Sequence, residues 1–194
     1  MFHILDNPHF WRFFRLIVDT IFSVDKNKRK LLDSLGGSLN LPSNSILDLG
    51  CGIGNLSEIF LGEYFGIDMN LKYIQYANKH FLTEKRKFIC SNVVDFVIDT
   101  HKKFDLVCLF DFAHHLPDDS LFAVLSAANK LSKKYIIIVD PVKDINNTLI
   151  IKLINKLDRG KFIRTRSHLT ELIKKVGLII INNPDGNVYL CGHT

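Results

Sequence analysis

The sequence predicts an α/β protein built on a mostly parallel sheet whose last strand runs antiparallel. Three observations carry this. Short apolar runs alternate with helical stretches from Ser45 to Thr194, the pattern of strands joined by crossover helices. Phe104-Asp105-Leu106-Val107-Cys108-Leu109-Phe110 is almost continuously apolar, as a parallel strand covered on both faces requires. Finally, Gly177–Ile181 and Asn187–Cys191 are separated by Asn182-Asn183-Pro184-Asp185-Gly186. A Pro-Asp-Gly turn between two apolar runs signals a hairpin, and so an antiparallel partner at the end of the sheet.

Residues before Ser45 lie outside the alternation and read as an N-terminal helical cap, residues 1–44, within the same domain as residues 45–194. Pro8–Phe22 holds Phe10, Trp11, Phe13, Phe14, Leu16, Ile17, Val18, Ile21 and Phe22, with Arg12, Arg15 and Asp19 at roughly helical spacing. That is too apolar for a freely solvated helix. Packing on the sheet is the simpler reading, and contact with a lipid headgroup layer or a greasy substrate is the alternative.

The first strand, Ile46-Leu47-Asp48-Leu49, turns on Gly50-Cys51-Gly52-Ile53-Gly54 toward a helix start at Asn55. Alternating glycines suit backbone that adopts positive φ or lies against a ligand. A glycine loop at the carboxyl end of a parallel strand is where nucleotide-type cofactors bind. The dinucleotide spacing Gly-x-Gly-x-x-Gly would need glycine at position 55, which is Asn55. A second strand, Glu63–Asp68, ends in a carboxylate able to accept from both hydroxyls of a ribose; capping the helix near Asn70 is its plainer use. Lys87–Cys90 is a third strand leading into Ser91-Asn92-Val93-Val94-Asp95. The fourth, Phe104–Phe110, ends in Asp111-Phe112-Ala113-His114-His115-Leu116-Pro117-Asp118, and Tyr135–Val139 is the fifth. Asp140-Pro141 then breaks the chain. Asn147–Leu157 reads as an amphipathic helix, Asp158–Arg166 as a basic turn-containing stretch, and Ser167 as the N-cap of a helix running to Val176.

In combination, these segments resemble the class I S-adenosylmethionine-dependent methyltransferases. The resemblance covers roughly Ser45 to Thr194 and rests on the glycine loop, the acid at Asp68 and the His-His-Leu segment. It implies a Rossmann-like, seven-stranded, mostly parallel sheet with an antiparallel last strand and helices on both faces. It also implies S-adenosyl-L-methionine (SAM) as cofactor and S-adenosyl-L-homocysteine (SAH) as product. The cofactor set carried over is Asp48, Gly50, Cys51, Gly52, Gly54, Asp68, Met69, Asn92, Val93 and Phe110. Within it the loop wraps the methionine part, Asp68 binds the ribose, and Met69 lies against adenine. Asn92 stands where the family usually has Asp, and it can accept the same hydrogen bond through its amide oxygen; Val93 supplies an amide. Asp111 matches the polar position facing the methionine end. His115 or His114 is the candidate base, with Asp111 as runner-up, because imidazole titrates in the useful range.

With 194 residues and 47% hydrophobic content, the chain is expected to be one domain with its own core. A net charge of +5 is spread over scattered lysines and arginines. Nothing interleaves arginine with aromatics as a base-stacking platform would. Cys51, Cys90, Cys108 and Cys191 contain no Cys-x-x-Cys pair, so no metal site or disulfide framework is indicated. With no secretory signal and no apolar run near ~18 residues, a cytoplasmic protein is expected. The acceptor is expected to be a small molecule, lipid or sugar. Two alternatives stand beside this: an RNA methyltransferase, although an Asn/Asp-Pro-Pro-aromatic motif is missing after the fourth strand, and a silent methyltransferase-like partner protein.

Overall fold

The computed structural model describes residues 7–10, 12, 13, 16, 45–60, 62–99, 102–143, 160–183 and 187–193. The strands are β1 (Ile46–Leu49), β2 (Tyr64–Asp68), β3 (Arg86–Cys90), β4 (Phe104–Phe110), β5 (Ser132–Val139), β6 (Leu178–Asn182) and β7 (Val188–His193). The helices are α1 (Leu71–Phe81), α2 (Val93–Asp99), α3 (Asp118–Leu131) and α4 (Arg166–Lys175). Seven strands make one sheet in the order β3-β2-β1-β4-β5-β7-β6. The β1–β2, β2–β3 and β4–β5 pairs are parallel, and β7 is antiparallel to both β5 and β6. The predicted fold class is the observed one, down to the reversed hairpin.

The chain divides into two compact units between Asn92 and Val93. In the first, β1 is buried along its whole length, so its one polar side chain, Asp48, needs a partner. Tyr64 supplies it, donating its hydroxyl to Asp48 Oδ2 at 2.5 Å. The helix expected from Asn55 is a 3₁₀ turn, Asn55–Ile59. The chain leaves Gly54 at φ 83 and is extended again by Phe60, with β2 only a few residues further on. That span is too short for an α-helix to develop. α1 is capped by Asn70, whose side chain accepts from the Lys72 amide. At the N-terminus the helical residues His9 and Arg12 meet α1: Arg12 Nη1 donates to the Tyr76 hydroxyl at 2.5 Å, and the His9 ring stands edge-on to Tyr76. Phe13 and Leu16 face outward, at 62% and 56% exposure. Trp11, Phe14 and residues 17–44 of the expected cap lie outside the described residues.

In the second unit β4 carries the core: Phe104, Leu106, Val107, Cys108 and Leu109 are all at 0% exposure. Burying each large apolar side chain contributes roughly 1.5–3 kcal/mol. β5 starts at Ser132, three residues before the apolar run that predicted it: Ser132 pairs with Phe104, while Lys133 and Lys134 keep their side chains in solvent. A register shift between Phe104 and Leu106 absorbs the mismatch at this end. α4 is capped by Thr165, whose hydroxyl accepts from the His168 amide, so Ser167 lies in the first turn and does not cap it. Thr165 wins because its backbone is extended at the point where helical geometry begins. The helix expected over Asn147–Leu157 lies outside the described residues. Cys51, Cys108 and Cys191 are buried thiols and Cys90 an exposed one. Among the described residues no helix is long and apolar enough to cross a membrane.

Candidate active site

Both units place their polar groups at carboxyl ends of strands. In the first unit, β1 and β2 end side by side. The amides of Gly50 and Cys51 both donate to the Ile67 carbonyl, at 2.8 and 3.0 Å. The next amide, that of Gly52, donates to Asp68 Oδ2 at 2.9 Å, and Asp68 Oδ1 accepts from the Asn70 amide at 2.8 Å. Asp68 thus ties the glycine loop to the start of α1. Burial pushes its carboxyl up from the ordinary range, and these two amide bonds pull it back. Burial also pushes the Cys51 thiol well up, helped by the charges of Asp48 and Asp68, so this cysteine packs as an apolar group.

Gly50, Gly52 and Gly54 all have positive φ, yet two of them serve different ends. A Cβ on Gly54 would meet Phe88 Cε1 at 2.8 Å and Ala77 Cβ at 3.0 Å, so this glycine lets the loop pack on β3 and α1. A Cβ on Gly52 would meet nothing within 4 Å among the described residues. The loop has an open side there, next to the Asp68 carboxylate. Met69 follows at 76% exposure, and Asn92 is exposed at the end of this unit. Asp48, Gly50, Cys51, Gly52, Gly54, Asp68 and Met69 are therefore assembled from one strand-end cluster.

In the second unit, Val93 opens α2 as a buried residue and Phe110 closes β4 at 5% exposure. Asp111 follows at φ 51, the single non-glycine residue with positive φ among the described residues. Such a backbone costs about 1–3 kcal/mol and persists where surroundings hold it. A 3₁₀ turn, Ala113–His115, carries the paired histidines. They part ways: His114 is 1% exposed and His115 is exposed. His114 Nδ1 lies 2.8 Å from Asp140 Oδ1 at the end of β5, inside the protein. Burial pushes the Asp140 carboxyl up, against the hydrogen bond from His114. The two imidazoles lie 4.2 Å apart between centroids, tilted by 37°.

Arg164, read from the sequence as part of a basic surface stretch, is 5% exposed. Its guanidinium donates to the carbonyls of Ala113, Leu116 and Phe162 and to Asp118 Oδ1. The contact with Arg164 holds the Asp118 carboxyl below the usual carboxylate range, with His168 contributing. A depressed folded value means this contribution is present above about pH 4 and is lost as pH falls through the folded value. Asp118→Asn is expected to flatten the acid side of the stability–pH curve below about pH 4, as read by thermal unfolding, and to leave its neutral side nearly unchanged.

The sequence matches the family described as "Methyltransferase domain" over residues 46–134. Among solved structures, an S-adenosylmethionine-dependent methyltransferase from Clostridium acetobutylicum ATCC 824 is 16% identical with a TM-score of 0.67, over 94% of this chain and 98% of that one. The chain shares the fold of this structure, and residues 46–134 match the family model. Magnesium protoporphyrin IX methyltransferase from Synechocystis PCC 6803 with bound SAH is 17% identical, TM-score 0.65, over 89% and 83% of the two chains. Human N-acetylserotonin methyltransferase in complex with SAM is 18% identical, TM-score 0.63, over 88% of this chain and 55% of that one. Comparison with curated proteins finds no match. At these identities the structural likeness of the methyltransferase domain is a likeness of fold.

Gly160, Arg164 and the partner role of Asp140 are absent from the sequence-derived site. Only Asp140-Pro141 gave a signal, as a strand end, and an arginine four residues beyond a glycine is indistinguishable from a solvated charge until the fold buries it.

Proposed function

We propose that this chain transfers the methyl group of S-adenosylmethionine to a small-molecule acceptor. The observation that carries the reading is the open side of the loop at Gly52, flanked by an Asp68 carboxylate whose position two backbone amides fix. These features fit the cofactor: its methionine part has room where a Cβ would otherwise stand, and a held carboxylate is suited to paired ribose hydroxyls. Gly50, Gly52, Asp68 and Met69 would hold it, with Asp48 and Gly54 supporting the loop from within, while Asn92, Val93 and Phe110 complete the proposed set. SAM supplies a methyl group on a positively charged sulfur, an electrophile that needs no activation by the protein. What remains for the chain is alignment and exclusion of water, and alignment alone can contribute ~7–11 kcal/mol. An acceptor proton of high pKa needs a base. His115, exposed on its turn, can take such a proton on a ring nitrogen; Asp111 is the alternative. Neighbours acting on a porphyrin and on N-acetylserotonin support an acceptor of small-molecule size.

The test is calorimetric titration of the full chain with SAM, then detection of SAH across pools of small phenols, lipids, sugars and RNA. Binding followed by turnover on a small molecule supports the proposal; turnover on RNA alone overturns the acceptor class. Asp68→Asn retains one acceptor oxygen for two amides. It is expected to weaken SAM binding by about 1–3 kcal/mol while circular dichroism stays native. Unchanged affinity in this variant would remove Asp68 from the cofactor site.

A further inference from the structure

A three-residue 3₁₀ turn has too few internal bonds to fix its own side chains, and the turn Ala113–His115 is held from outside. Phe162 N–H donates to the His114 carbonyl at 2.9 Å. Arg164 Nη1 donates to the Ala113 carbonyl at 3.0 Å and Nη2 to the Leu116 carbonyl at 2.6 Å. Three of the four carbonyls from residue 113 to residue 116 thus accept from one segment, residues 160–164. That segment is itself anchored where the Lys143 amide donates to the Arg164 carbonyl. The same segment presses on the His114 ring, since a Cβ on Gly160 would come within 1.8 Å of His114 Cδ2. On its other side the ring is tied to Asp140, which receives both the Nδ1 contact and the His114 backbone amide. His114 therefore has a fixed plane, and the His115 ring packs beside it, 4.2 Å away between centroids and tilted by 37°.

We propose that Asp140, His114, Gly160 and Arg164 are positioning residues that present His115 to the acceptor. The inference rests on the methyl-transfer reading and divides the two histidines: His115 meets the acceptor, and His114 acts through it. An ionised Asp140 accepts from Nδ1–H, which settles the tautomer of His114 as well as its orientation. Arg164 suits its place because a planar guanidinium can satisfy several carbonyls at once, which a lysine ammonium on a flexible stem cannot. Gly160 suits its place because any side chain would displace the ring.

Two measurements on the full chain with isotope-labelled histidine test this. In the wild-type protein the His115 ring resonances are expected to be displaced by the His114 ring current. Diethyl pyrocarbonate is expected to modify His115 about tenfold faster than His114, which reacts only through local opening. In Gly160→Ala, and separately in Arg164→Lys, the His115 displacement is expected to collapse toward that of a freely rotating histidine and the rate ratio to fall toward one. A general loss of structure would be seen in circular dichroism, so either variant suffices if the other fails to fold. An undisplaced His115 ring in the wild type, or unchanged displacement and selectivity in a folded variant, overturns the proposal. SAM titration of the same samples separates the readings. Absence of binding in the wild type ends the methyl-transfer reading, and with it the presentation to an acceptor, whatever the histidine spectra show. Binding with disordered His115 in the wild type ends the positioning alone.

Discussion

Arg164→Met is expected to destabilise the protein by about 2–4 kcal/mol, chiefly from carbonyls left without their donor. The side chain is 5% exposed and its donors serve three carbonyls and a carboxylate. Methionine fills most of the volume but donates nothing. Ala113 keeps a partner, because the Leu116 amide also donates to its carbonyl. The part-buried Leu116 and Phe162 carbonyls lose the guanidinium, each toward the lower end of about 1–3 kcal/mol. The Asp118 pair adds little, since that carboxylate is half exposed. For a chain of this size the melting temperature should fall by roughly 10 °C. Lys161→Met, on an exposed residue of the same segment, is the control and should stay within about 0.5 kcal/mol of wild type. Equal melting temperatures for the two variants would show that Arg164 is not the clasp described.

The second large effect is on cofactor affinity. Gly52→Ala and Gly177→Ala are a matched pair: φ is +55 and +79, and neither Cβ would meet any atom of the described residues within 4 Å. Both should lose a similar ~1–2 kcal/mol of stability from the left-handed backbone alone. Only at Gly52 does the added methyl enter the space proposed for SAM, where a crowded contact costs typically 1–3 kcal/mol. The expected result is SAM binding weakened about 10- to 100-fold by Gly52→Ala and unaltered by Gly177→Ala, measured by titration calorimetry. Equal affinities would place the cofactor away from this loop.

Strands and their order of appearance were legible because burial on both faces leaves a plain mark: runs such as Phe104–Phe110 hold little else but apolar residues. The boundaries drifted where that mark fades, as at Lys133 and Lys134, which lie within β5 while their side chains do not contribute to the core. The glycine loop and Asp68 were legible because they are local in sequence, one strand-end apart. The clasp on the His114 turn was not. It joins residues 111–118, 140 and 160–164, and nothing in periodicity distinguishes an arginine bound for three carbonyls from one bound for solvent. The different burial of His114 and His115 was hidden for the same reason, since the docking of the turn decides which of two neighbours is covered.

Because β7 lies between β5 and β6, the sheet cannot be finished in the order in which the chain is made. A nascent chain that has reached β6 has no place to put it, since among the described residues β6 pairs with β7 alone. Until residues 188–193 emerge, the β5 edge that carries Ile136, Ile137 and Ile138, all at 0% exposure in the finished protein, remains an unsatisfied template. An exposed apolar edge of that kind pairs with other chains. Closure of that edge thus turns on six residues: a chain truncated before Val188 would expose an aggregation-prone edge, and one that carries Val188–His193 covers it.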